Sequence, residues 1–407
     1  MVSFYSVFIV VIFVLFNPGS ARAAAVPAVP HPFQGVAHTE VKLSSTVVLQ
    51  SDSQDLARVN KQIYTWLKFL QGALGNDLDS SIMIDQNAFA VTGIVDSGRD
   101  VSEKYDITIR LEALGAFKTA PGVFNILLPR KISTAGIDEF QTKFPTCSFY
   151  TGSTYWYYFR SSGCVDASAT DIVQGVDFTT ALTSNNTVGK FPEYQRIVDD
   201  GIIEVTYVFG NEGEVGGSDV EAALASKLGE GVAISEDLFE EGVRRSKDYL
   251  SGNLVVRVHY FGLKGHFADL SAETSKVFSR YAGGSDVIFY NGHAGLGRNV
   301  DALTESLTFV SGQYYFLFIN ACQPYAYIDP ELFRKSERAN PGDLWSKNLD
   351  VGSNVRIGSF NYGYDVANLI SSLLKFESYL DVLTNLSISG YPAVMGEEDN
   401  PSSFLTP

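Results

Sequence analysis

The chain has 407 residues, 45% of them hydrophobic and 19% charged, which is ordinary globular composition and enough for two domains that each bury a core. Its 30 basic residues against 46 acidic ones give a net charge of −16. That balance argues against nucleic acid and anionic membrane surfaces as partners, since both would repel it.

The chain opens on an unbroken apolar core at 7–16, broken by Asn17-Pro18-Gly19 and followed by the small-x-small pattern Ala21-Arg22-Ala23. This predicts a signal peptide over 1–23, cleaved after Ala23. The core falls well short of the ~20 residues a spanning helix needs, so the mature protein is expected to be secreted or periplasmic, with no stable membrane insertion. Residues 24–50 read as an extended, Pro- and Ala-rich lead-in. His31 and His38 lie there without a Cys or carboxylate cluster, and no metal site is expected.

A smaller α+β domain is expected over 51–185. It starts with an amphipathic helix over 52–74, capped by the Ser51 to Ser53 cluster and ended by Gly75. Strands follow at 88–95, 105–112 and 123–128, then a short helix at 137–144. Cys147 and Cys164 flank SFYTGSTYWYYFRSSG, which reads as a hairpin closed by a disulfide. The run Tyr155 to Phe159 suits either a strand core with cross-strand pairs or a ligand platform. With that pair bridged, Cys322 is the odd thiol of an exported protein, either buried and inert or reactive.

The polar stretch TSNNTVGK (183–190) marks the domain boundary. Asn185 and Asn385 each open an N-x-Ser/Thr sequon, a glycosylation site if the source is eukaryotic. Over 190–390, strand and helix patterns alternate. Strands are expected at 202–209, 254–261, 287–290, 314–320 and 355–360, and helices at 219–228, 235–250, 272–281, 300–309 and 365–383; 391–407 is a tail. This order predicts an α/β domain with a doubly wound, mostly parallel sheet. Gly210 to Gly217 is not a phosphate loop, because no Gly-Lys-Ser/Thr follows it.

The ordering stretch is 286–327. DVIFYNGHAGLG and YYFLFINACQPYAY are continuous apolar runs of strand length, as expected of strands buried on both faces. The first delivers His293 and the second Cys322, each just past the carboxyl end of its strand, where α/β sheets place their ligands. Side chains past neighbouring strand ends can meet across the sheet edge, so His293 and Cys322 are the candidate base and nucleophile. His266, in GLKGHFADL, emerges at the same edge and competes as base, whereas His259 lies within a strand and reads as core. Asn291 and Asn320 precede the pair by two positions each and either orient the site or cap the strand ends.

IFYNGHAG and FLFINACQ resemble the caspase-like (clan CD) cysteine peptidases, in which one hydrophobic block ends in His-Gly and another in the nucleophilic Cys. They are more closely similar to uncharacterised secreted proteins that carry GH(S/A)GLG followed by an aromatic strand ending in Cys. The chain departs from the clan in placing Ala294 between His293 and Gly295. The resemblance implies a caspase-like fold over roughly 200–375 and an oxyanion site built from the backbone N–H groups of Ala294 and Cys322. It also implies no third carboxylate, no cofactor, no metal, and a peptide or protein substrate bound near Tyr325, Tyr327, Asp329, Trp345 and the segment after Gly358. Lys335 and Arg338, in a charged loop, either meet acidic side chains or are simply solvated.

HExxH, CxxC, Walker, G-x-S-x-G and calcium-loop motifs are absent. The expected function is therefore an exported cysteine peptidase working through an acyl-enzyme. The alternative is a non-catalytic secreted binding protein on the same fold with a structural Cys322; acyl transfer to an amine would use the same residues as hydrolysis.

Overall fold

The computed structural model describes residues 33–35, 39–84, 88–99, 102–117, 121–147, 159–164, 172–182, 190–210, 217–356, 363–386, 392–396 and 400–402. Its first element, β1 (Phe33–Gly35), and the longer β2 (Thr39–Ser51) lie in the segment expected to be a lead-in. Val41, Leu43, Val47 and Leu49 of β2 are buried, and that apolar set makes β2 an interior strand.

Helix α1 (Leu56–Asp77) follows, capped by Asp55, whose side chain accepts the Arg58 N–H. The helix runs through Gly75. Its last turns are buried almost all round, from Phe69 to Gly75, because they lie between two layers and not on one. Then come β3 (Ser81–Ile82), β4 (Phe89–Asp96), β5 (Tyr105–Phe117), β6 (Val123–Pro129), α2 (Thr134–Lys143) and β7 (Val173–Leu182). Among the described residues these strands form a six-stranded sheet in the order β3-β5-β2-β7-β6, with β4 also on β5, antiparallel throughout. Trp66, Leu67, Leu70 and Leu74 of α1 close its core together with Ile107, Ile109 and Phe178. Cys147 and Cys164 form the expected disulfide, S–S 2.01 Å. The aromatic run at 155–158 lies outside the described residues, and Phe159 is buried in this core.

The second sheet begins after α3 (Tyr194–Ile197). It contains β8 (Ile202–Gly210), α4 (Gly217–Leu228), β9 (Val232–Phe239), β10 (Gly242–Ser251), β11 (Leu254–Leu263), α5 (Ala272–Gly283), β12 (Val287–Gly292), α6 (Arg298–Ser306), β13 (Tyr315–Asn320), α7 (Pro330–Ala339), β14 (Leu349–Asn354), α8 (Tyr364–Leu374), α9 (Tyr379–Asn385) and β15 (Pro392–Met395). Among the described residues the order is β1-β15-β14-β13-β12-β8-β11-β10-β9. The five strands from β14 to β11 are mutually parallel, and the outer pairs are antiparallel. Val220, Leu224, Val366, Ile370 and Tyr379 cover one face. On the other, Phe278 of α5 meets Phe261, and the Tyr315 hydroxyl donates to Gly283 O. The architecture is the expected α/β class, a doubly wound, mostly parallel sheet preceded by a smaller α+β layer. Both sheets belong to one compact unit, His31–Pro407.

Several expected elements change. Residues 235–250 are not helix but the β9/β10 hairpin, whose Arg244 is buried against Asp237, Ser235 and Ser246. Pairing with β11 overrides the helix propensity of that charged stretch. The strand expected at 355–360 lies earlier, as β14, and the closing helix breaks into α8 and α9. Residues 392–395, read as tail, are strand β15.

Candidate functional site

Strands β12 and β13 are adjacent and parallel, with Asn291 opposite Asn320. His293 and Cys322 therefore stand at equivalent places, two residues beyond a matched pair, on strands spaced about 4.8 Å apart. Parallel pairing of two apolar runs that end in Asn sets this placement. The Asn320 amide donates to Asn291 Oδ1 at 3.0 Å and toward Asp365 at 3.4 Å, and Asn291 donates to the Tyr207 hydroxyl at 3.3 Å. All four side chains are buried. The two asparagines thus tie the strand ends to each other and to α8.

The backbone of His293 is held from three sides. Its N–H donates to Gly210 O at 3.3 Å, while its carbonyl accepts from the Tyr290 hydroxyl at 2.7 Å and from Asn299 Nδ2 at 2.8 Å. Asn299 also lies 3.2 Å from His266 Nδ1 and accepts the Ala268 N–H at 3.1 Å. The rings of His266 and His293 stand edge to face, centroids 6.0 Å apart, so the expected rival base is a neighbour of the first. His259 is core, as expected: Ser246 Oγ lies 2.7 Å from its Nδ1, and its ring packs on Tyr281.

After His293 the chain makes a tight turn in which the Ala294 carbonyl accepts the N–H groups of Gly297 and Asn299. Leu296 takes a left-handed φ of 57° there, and Gly297 a φ of 96° with the Tyr327 ring where a Cβ would stand. That approach packs the His293 loop against the Cys322 loop.

Cys322 is the free thiol and is partly buried. Asn354, at the end of β14, clamps the residue before it: the Asn354 side chain accepts the Ala321 N–H at 2.9 Å and donates to the carbonyls of Ala321 and Arg356. Burial pushes the Cys322 thiol above its ordinary value. Burial also raises the Tyr290 phenol, and the charge of a Cys322 thiolate adds to that rise. The Tyr290 hydroxyl meanwhile holds the His293 carbonyl. Asn299, Asn354 and Tyr290 carried no signal in the sequence: two look like ordinary strand residues and the third like the start of a helix.

A cleft of about 480 Å³ opens beside the two loops, lined by Tyr64 and Lys68 of α1, Leu296, Asp301, Tyr327 and Asp329 among others. Of the residues expected to form a substrate pocket, Tyr327 and Asp329 line this cleft. Tyr325 and Trp345 are buried instead, the Trp345 ring packed against Phe333 at a tilt of 42°. The segment 357–362 lies outside the described residues. Lys335 and Arg338 sit on α7, not in a loop: Lys335 donates to the carbonyls of Thr304 and Glu305, and Arg338 pairs with Glu331. Asn185 lies outside the described residues. Asn385 is exposed at the end of α9, its amide donating to Ser372 Oγ and Glu377.

No family model matches the chain, and no curated protein sequence matches it. Solved structures overlap it in part. An inactive zymogen C11 protease from Parabacteroides distasonis shares 13% identity at a TM-score of 0.24, covering 44% of this chain and 55% of that one. A secreted C11 cysteine protease of Bacteroides thetaiotaomicron, iotapain, shares 9% identity at 0.27, covering 47% and 66%. The G domain of the T. maritima FeoB iron transporter overlaps to a similar extent, with 10% identity at 0.21, covering 46% and 96%. At such scores the overlaps decide nothing about chemistry, since a peptidase and a transporter domain are matched alike. Among the described residues, no helix is long and apolar enough to cross a membrane.

Proposed function

We propose that the protein is an exported cysteine peptidase of caspase-like type, with Cys322 as nucleophile and His293 as the group that exchanges its proton. The observation that carries this reading is the register of β12 on β13, which brings a His and the one free thiol to matched positions past adjacent strand ends. Export is supported by the apolar leader at 1–23 and by the Cys147–Cys164 disulfide, which suits an oxidising compartment.

The chemistry follows from the groups at the site. A thiol raised by burial rests protonated, and only the thiolate attacks a carbonyl. The proton must therefore leave as the substrate arrives. The sulfur then bonds to the carbonyl carbon, and the oxygen takes up negative charge facing the Ala294 and Cys322 N–H groups. Collapse expels the amine, which leaves with a proton from His293, and water releases the acid and restores the thiol.

The test is the rate of iodoacetamide labelling of Cys322 in folded wild type and His293→Ala, with the labelled peptide identified by mass spectrometry. Labelling that slows at least tenfold in the variant is expected. Equal, slow labelling in both would remove the peptidase reading in favour of a secreted binding protein with a structural Cys322.

A further inference from the structure

The loop that carries Cys322 does not rest on its own sheet alone. Gln323 takes a left-handed φ of 52° and is almost fully buried. Its amide reaches α1 of the N-terminal layer, where a methyl group on Gly75 would stand 2.7 Å from Gln323 Nε2. Three residues on, the Ala326 carbonyl accepts the Ile84 N–H at 3.1 Å, and Ala326 is itself part of the hydrophobic core of the N-terminal layer. The Ile84 carbonyl in turn accepts from the Tyr64 hydroxyl of α1 at 3.2 Å. The neighbouring Met83 N–H donates to Leu114 O, fixing the segment to β5.

A third tie approaches from behind. The Gln323 N–H donates to the Arg356 carbonyl at 3.1 Å, and the Arg356 guanidinium pairs with Asp79, in the turn after α1. Ties at 323, 326 and 356 thus run from one layer to the loop that begins at the nucleophile. A left-handed, buried Gln persists only where its surroundings hold it; here Ile84, through the Ala326 carbonyl, and Asp79, through Arg356, hold the loop around it.

Building on the peptidase reading, we propose that the N-terminal α+β layer is a permanent positioning part of the active site. It clasps residues 322–327 through Gly75, Ile84 and Asp79 so that Cys322 is presented to His293. The layer is accordingly not a segment to be discarded for activity, and Gln323 is a positioning residue.

Gly75→Ala tests this without weakening the helix. Gly75 has ordinary helical backbone, and alanine there favours helix, yet its methyl would stand 2.7 Å from Gln323 Nε2, which must then shift. In the full chain, amide hydrogen exchange of 321–328 should rise at least fivefold in Gly75→Ala while α5 and α8 keep their protection. The His293 dependence of labelling, taken as the ratio of rates with and without His293, should fall at least fivefold. A second substitution, Gln323→Asn, is one methylene shorter and tolerates a left-handed backbone; it should restore both.

Unchanged exchange in 321–328, or a His293 dependence that survives Gly75→Ala, overturns the proposal. If wild type itself shows no His293 dependence, the peptidase reading fails, and a rise in exchange would still establish the clasp by itself.

Discussion

Replacing Asn354 with alanine removes a buried side chain that fixes the backbone next to Cys322. Its carboxamide is fully buried, accepts the Ala321 N–H, and donates to the carbonyls of Ala321 and Arg356. Alanine takes away all three contacts at once. A buried peptide group left without its partner costs about 1–3 kcal/mol, and the space left by the amide adds about 1 kcal/mol more. We therefore expect Asn354→Ala to lose roughly 2–4 kcal/mol of stability. Urea denaturation followed by tryptophan fluorescence measures this, at unchanged m-value. Asn354→Asp should be at least as costly, because it places a carboxylate against two carbonyl oxygens. Labelling of Cys322 in the native baseline should lose its dependence on His293 in both variants. A loss below about 0.5 kcal/mol for Asn354→Ala would refute the reasoning, since it would mean that the three backbone groups find other partners.

Tyr290→Phe removes the hydroxyl that holds the His293 carbonyl; a cost of about 1 kcal/mol is expected, with His293-dependent labelling slowed severalfold, and unaltered labelling would count against that hydroxyl's role. Asp286 is pushed up to about 8 by burial, with Asp200, Glu204 and Asp199 adding repulsion. The unfolded carboxyl titrates near about 4, so between those values the folded chain holds the extra proton and stability falls as pH rises. In Asp286→Asn that decline should disappear, raising Tm over wild type more at pH 8 than at pH 5; a pH-independent difference would contradict it. Reducing the Cys147–Cys164 bridge, which closes a separation of 17 residues, should cost about 3 kcal/mol, read as a urea midpoint lower with reductant than without it.

Much of the candidate site was legible because it is made of continuous apolar runs. Ile288 to Tyr290 and Tyr315 to Ile319 are buried on both faces, and a run of that length and composition has few other homes. The polar residues that end those runs, His293 and Cys322, could therefore be placed at the sheet edge from the sequence. Edge elements were harder. In β9 nearly every residue is exposed, so no hydrophobic period marks it, and its charged residues imitate a helix. The interior strand β2 is hidden for another reason, since Ser45 breaks the inward-facing set of Val41, Leu43, Val47 and Leu49. The clamps at Asn299 and Asn354 were invisible for a different reason: each works through backbone groups of residues that only the fold brings near.

The short strand β1 has a consequence for how the chain acquires its structure. It pairs with β15, Phe33 opposite Met395, so two segments at opposite ends of the described chain meet at one border of the large sheet. Contacts that span such a separation form late and slowly. A chain made amino end first builds every interior strand before this last seam closes, since β15 emerges last. Once zipped, the seam holds Phe33–Gly35 beside β15, and a short linker joining these two strands, with a new opening cut in a surface turn, should yield a circularly permuted protein with the same sheet.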